Sequence, residues 1–174
     1  MRSVAEAVGV TPPSIYLHFA DKSELIYAVC EKNFAELDRF VEEAAPGAAG
    51  SLDALHQRGR AYVQFGLDHP EQYRILFMTT PPEGWTADRI LENAAFGHLL
   101  QAVQAGMESG ALAPDDPVLV ALGLWATVHG ITSLLITKPQ LPWPDVDQLV
   151  DHVVSMCVKG LAAPQRKRSV RTAR

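Results

Sequence analysis

The sequence predicts an all-α protein of about eight helices, and three observations carry that prediction. Apolar residues recur at helical spacing through most of the chain, capping residues and Pro/Gly breaks punctuate it at helical lengths, and no convincing strand or internal repeat is left over. At 174 residues the chain suits one medium domain or a small head joined to a larger body, long enough to bury a core. A hydrophobic share of 48% beside 20% charged residues belongs to an ordinary packed globular protein.

Residues 3 to 9 form the first expected helix: Ser3 caps it, Val4, Ala5 and Val8 give its apolar stripe, and Gly9 stops it. Thr11 is the next N-cap, and Pro12 occupies the first helical position, where a missing N–H costs nothing. Ile15 and Phe19 supply the inward face of this second short helix. Asp21 caps a third, with Glu24 placed as in a capping box, and the helix runs to about Ala45 before Pro46-Gly47 stops it. After the linker PGAAG, Ser51 opens a helix carrying Leu52, Leu55, Tyr62, Val63 and Leu67, which ends near His69.

Pro70 starts a further short helix, EQYRILFM, which the run TTPPEGW terminates. Thr86 caps a long amphipathic helix reaching about Gly110. Asp116 and Pro117 then open VLVALGLWATVHGITSLLI, apolar almost all round and so expected to be buried. The segment KPQLPWP breaks it, and Pro144 opens a last helix with Val146, Leu149, Val153, Met156 and Val158 mostly on one face.

Composition narrows the function classes. The two cysteines, Cys30 and Cys157, sit in apolar runs at helical spacing, which indicates neither a disulfide framework nor a zinc site and suits a reducing cytoplasm. No targeting segment and no run of about 18 apolar residues is present, so neither export nor a membrane partner is expected. The net charge is −5, yet the last eleven residues hold five cations and no acid, so the body is acidic and the tail basic. His56, His69, His98 and His152 lack partners at metal-ligand spacing, and no paired carboxylates or nucleophile with base stand out. Neither a metal, a cofactor nor a catalytic residue is expected, and the chain does not read as an enzyme.

Two short helices joined by a glycine turn and seated on a capped long helix form the pattern of a helix-turn-helix. The residues AEAVGVTPPSIYLHFADKSEL resemble the signature of the TetR family: an Ala-rich helix ending in Gly-Val, a Tyr-x-His-Phe run, and a Lys before the next helix. Trp125, His129 and Gly130 are similar to the Trp-His-Gly motif of one class of TetR C-terminal domains. The resemblance implies a DNA-binding head on an all-helical body that dimerises and senses a ligand.

The expected DNA-contacting residues are Thr11, Pro12, Ser14, Tyr16, Leu17, His18 and Lys22. The start of the second helix would offer free amide N–H groups to a phosphate, while Thr11, Ser14 and Leu17 face outward toward base edges. The resemblance gives Tyr16, His18 and Lys22 phosphate contacts. Without the motif, Tyr16 reads rather as a packing aromatic and His18 as a surface residue, and the motif decides for DNA contact. In the body, Tyr62, Phe65, Tyr73, Phe77, Phe96, Trp125 and His129 are expected to wall a cavity for a small hydrophobic ligand, with His129 as the polar group that orients it; core packing is the competing reading for each.

Family members carry a further helix ahead of the first short one. The resemblance therefore leads us to expect an incomplete head with Val4, Val8, Ile15 and Phe19 partly uncovered. The expected organisation is a head over 1–33, a ligand-binding and dimerisation body over 34–163 and a basic, disordered tail over 164–174. The expected function is a cytoplasmic, homodimeric repressor that leaves a double-stranded DNA operator when a small hydrophobic molecule binds, with dimerisation through the last two long helices. The alternative is an interaction protein that dimerises through its body into DNA-incompetent mixed dimers.

Overall fold

A computed structural model describes residues 1–47, 50–79 and 93–164. Among them the chain forms eight helices and no strand: α1 Arg2–Ala7, α2 Pro12–Tyr16, α3 Lys22–Ala44, α4 Leu52–Asp68, α5 Pro70–Phe77, α6 Ala94–Glu108, α7 Pro117–Thr137 and α8 Val146–Gly160. One antiparallel bridge, Leu112 to Ala162, ties the turn after α6 to the end of α8. The expected cap at Thr86, the TTPPEGW loop from Thr80 onward with Trp85, and the basic tail from Gln165 lie outside the described residues.

The caps follow the side-chain chemistry. Asp21 accepts from the Glu24 amide at 2.9 Å, Ser51 from Ala54 at 3.1 Å, and Asp116 from Val118 and Leu119 at 2.9 and 3.3 Å. Two expected starts are displaced. Ser3 caps nothing, because α1 begins at Arg2 and takes Ser3 into its first turn. The last helix is capped by Asp145, whose carboxylate accepts from the Gln148 amide at 2.9 Å, so Pro144 precedes it. Gly9 turns the chain between α1 and α2 at φ +71°, a conformation that costs a side-chain-bearing residue.

Helix α4 runs through the centre of the body and packs on α3, α5, α7 and α8. Ala54, Leu55, Ala61, Tyr62, Val63, Phe65 and Gly66 are all buried. At its crossing with α7, a Cβ on Gly66 would overlap Cγ2 of the fully buried Thr132, so the glycine sets how close the two helices come.

Full burial of α7 is corrected. Val120, Ala121, Leu124, Val128, Ile131, Thr132, Leu135 and Ile136 are buried, but Val118 is exposed, and Leu119, 63% exposed, and Leu134 share an open side. The helix is long and apolar enough to cross a membrane by length and composition, and its covered face packs on α4, α6 and α8 as a core helix. On α8, Met156 is likewise 59% exposed.

In the head, Val4 and Val8 are exposed and Phe19 is half-buried, but Ile15 is only 8% exposed, so the expectation that it lies uncovered does not hold. Helix α3 continues unbroken through residues 33 and 34, and the head and body share it.

Candidate functional site

The short helix α2 presents the first set of expected site residues. Thr11, Tyr16, Leu17, His18 and Lys22 are exposed, Leu17 at 83%, whereas Pro12 and Ser14 are half-buried. The expectation of free amides at the start of α2 is corrected. Pro12 and Pro13 have no N–H, and the Ser14 amide already donates to the Thr11 carbonyl at 3.0 Å. The Thr11 hydroxyl turns to Ser14 Oγ at 3.4 Å and caps no amide. Side chains, not backbone, are what this helix offers a partner.

In the body, α3, α4, α5, α6, α7 and α8 converge on an apolar cavity of about 90 Å³. Of the seven residues expected to wall it, Tyr62, Phe77, Phe96 and Trp125 do so. Phe65 faces α3 instead, edge-on to Phe40 with ring centroids 5.8 Å apart. Tyr73 and His129 lie behind Tyr62. The aromatics form one cluster: Phe77 packs on Tyr62 at 6.1 Å, Tyr73 at 4.9 Å and Trp125 at 6.2 Å, and Trp125 on Phe96 at 6.4 Å.

The polar ends of this cluster are joined to one another. The Trp125 indole N–H can only donate, and it does so to Tyr62 Oη at 3.1 Å. Tyr62 Oη lies 3.3 Å from Tyr73 Oη, which lies 2.7 Å from His129 Nδ1. Tyr62 Oη also lies 3.4 Å from the same Nδ1 and Tyr73 Oη 3.5 Å from the His129 carbonyl, so the indole, both phenols and the imidazole form one network. Burial favours the neutral form of every member: it pushes the Tyr62 phenol up to about 12, raises Tyr73 as well, and holds the His129 imidazole below its ordinary value. His129 is thus engaged inside the network and is not among the residues that line the cavity.

Sequence reasoning missed Arg58. It is 8% exposed and lines the cavity from α4. Its Nε and Nη2 fork onto Glu42 Oε1 and Oε2 at 2.9 and 2.7 Å, and this pairing holds the Glu42 carboxyl below its ordinary range. Nη1 is buried without a hydrogen-bond partner among the described residues. A signal existed: Leu55, Arg58 and Tyr62 share one face of α4, and a cation on such a stripe demands a partner.

Two of the four histidines that lack metal-ligand spacing are satisfied by polar partners, as the sequence reading expects. His98 Nδ1 lies 2.8 Å from Asp38, and His56 Nε2 lies 3.1 Å from Ser155 Oγ and 3.2 Å from Asp151. Both pairings come from other helices, so spacing along the chain could not reveal them. Asp38, Glu42 and His98 place three ligand-type atoms within 4.8 Å of one another, but both Glu42 oxygens face the Arg58 guanidinium, which opposes a metal cation.

A helix-turn-helix head carried by the first helix of an all-helical body defines a DNA-binding transcriptional regulator. Residues 1–29 match the bacterial regulatory proteins of the tetR family, and residues 55–157 match the tetracyclin repressor-like C-terminal domain. The chain belongs to the TetR family, whose regulators are generally non-enzymatic. The body match gives no support for placing Trp125, His129 and Gly130 in the Trp-His-Gly class.

Solved structures agree in fold. A protein of unknown function from Rhodococcus sp. RHA1 is 26% identical, with a TM-score of 0.77 over 92% of this chain and 84% of that one. A TetR family transcription regulator from Marinobacter aquaeolei VT8 is 19% identical, with a TM-score of 0.77 over 92% and 83%. The TetR family transcriptional regulator PfmR from Thermus thermophilus is 17% identical, with a TM-score of 0.68 over 95% and 88%.

Proposed function

We propose that this regulator is a ligand-responsive repressor, a symmetric dimer that leaves its operator when a compact hydrophobic molecule enters the body. The observation that carries the reading is the cavity itself, because α3 both walls it, through Phe34, Leu37, Asp38 and Val41, and begins at Lys22 in the head. At about 90 Å³ it is small beside the ~300–1,000 Å³ of drug-sized sites, which favours a compact ligand. In the head, over residues 1–33, Tyr16, His18 and Lys22 contact phosphates while Thr11, Ser14 and Leu17 face base edges, with Pro12 fixing the start of the helix. The open apolar faces of α7 and α8 in the body, residues 34–163, support dimerisation.

A ligand releases DNA only as far as it prefers the spacing of heads that does not bind. A tenfold effect requires roughly 1.4 kcal/mol of such preference. The test uses an operator selected from random duplex DNA by the purified protein. A panel of small apolar compounds is then followed by tryptophan fluorescence and by DNA release. Compounds that perturb the fluorescence should weaken DNA binding in proportion to their occupancy. Cavity occupancy that leaves DNA affinity unchanged overturns the reading.

A further inference from the structure

We propose that the molecule bound in this cavity carries an uncharged hydrogen-bond acceptor, such as a ketone, ester or ether oxygen, received by Nη1 of Arg58. The inference rests on the cavity being the ligand site. Arg58 is more than nine-tenths buried, and its Nε–Nη2 edge is committed to Glu42, so Nη1 lies on the opposite edge of the same planar group. A buried guanidinium nitrogen with no acceptor among the described residues carries a desolvation cost that a ligand oxygen would relieve.

The charge of the acceptor follows from the neighbours. Glu42 already neutralises Arg58, and Asp38, itself paired with His98, stands on the same cavity wall, so a carboxylate on the ligand would meet two anions whose partners are already engaged. An ammonium would meet the guanidinium. A neutral acceptor satisfies Nη1 without adding net charge to an apolar site. The rest of the ligand lies against Tyr62, Phe77, Phe96 and Trp125, where the Tyr62 hydroxyl and the Trp125 indole N–H are already engaged with each other and offer it only apolar surface.

The probes are ethylbenzene, acetophenone and benzoate, which share a ring and differ in the acceptor. Titration calorimetry on the intact chain should give acetophenone at least about tenfold tighter than ethylbenzene, the size expected of one hydrogen bond to a charged group, and benzoate weaker than acetophenone. The double variant Arg58→Met with Glu42→Gln removes the donor without stranding a buried charge, and there the preference should fall to about one while ethylbenzene still binds. Equal binding of acetophenone and ethylbenzene to the unaltered protein overturns the Arg58 assignment and leaves the cavity standing. Absence of binding by all three overturns the cavity as a ligand site, and tightest binding by benzoate overturns the uncharged acceptor. Should the double variant fail to fold, the guanidinium ¹⁵N resonances of Arg58 in the unaltered chain read the same contact. Nη1 should move with acetophenone and not with ethylbenzene, and no movement with bound acetophenone overturns the proposal.

Discussion

Tyr73 Oη lies 2.7 Å from Nδ1 of His129, a contact that ties the imidazole of α7 to the buried phenol of α5. Protonating the ring would place a charge inside an aromatic cluster whose burial disfavours it. Because the folded protein holds the His129 pKa below its unfolded value, the stabilisation is fully present above about pH 6.5 and is lost as the pH falls from there through the folded value. Thermal melts of the wild type between pH 7.5 and 5 should therefore fall more than those of His129→Asn, whose side-chain oxygen keeps an acceptor for Tyr73 without titrating. Parallel curves for the two proteins would remove His129 from the acid response.

Gly66→Ala should destabilise the protein by roughly 1–3 kcal/mol, because the added methyl overlaps buried Thr132 and the crossing of α4 and α7 must open to admit it. Denaturant unfolding measures this directly. Gly97→Ala, where a Cβ meets nothing within 4 Å, is the control and should be neutral or slightly stabilising through helix propensity.

In the head, Lys22→Ala should weaken binding to all duplexes alike and lower the salt slope by about one, as expected for one lost phosphate contact. Ser14→Ala should change the preference among operator sequences with little change in that slope. Fluorescence anisotropy at several salt concentrations separates the two, and identical behaviour would refute the division between positioning and reading residues.

Leu119→Asp together with Met156→Asp should convert a dimer to a monomer at micromolar concentration without unfolding it, since both side chains are exposed in the single chain. Sedimentation velocity reports the state, and circular dichroism reports that the helices persist. A dimer unchanged by both substitutions would place the interface elsewhere.

Much of the fold was legible because helix boundaries are set by local chemistry. Asp21, Ser51 and Asp116 accept the amides their spacing predicts. The failures have nonlocal or combinatorial causes. Pro13 beside Pro12 removes the amides that an N-terminus would otherwise present, a consequence readable from the sequence but outweighed there by the capping pattern. Phe65 and Tyr62 both lie on α4, a helix buried on most sides, and periodicity cannot say which neighbour each meets. Arg58 depends on Glu42 across the turn between α3 and α4, and His98 depends on Asp38, sixty residues away. A pocket assembled from six helices is a property of their packing, and only its aromatic content could be read in advance.

The unbroken course of α3 has a mechanical consequence. Its 23 residues make a stiff rod, with Leu37 on the cavity wall about 22 Å from Lys22 at a rise of ~1.5 Å per residue. A tilt of about 5° pivoting at Leu37 carries the Lys22 end through roughly 2 Å. In a twofold arrangement both ends swing, and the separation between them changes by up to about 4 Å against the ~34 Å between successive major grooves. A displacement of about half an ångström at Val41, one turn beyond the pivot on the cavity wall, is therefore geared up into a misfit of a size that DNA, which bends reluctantly, registers as energy.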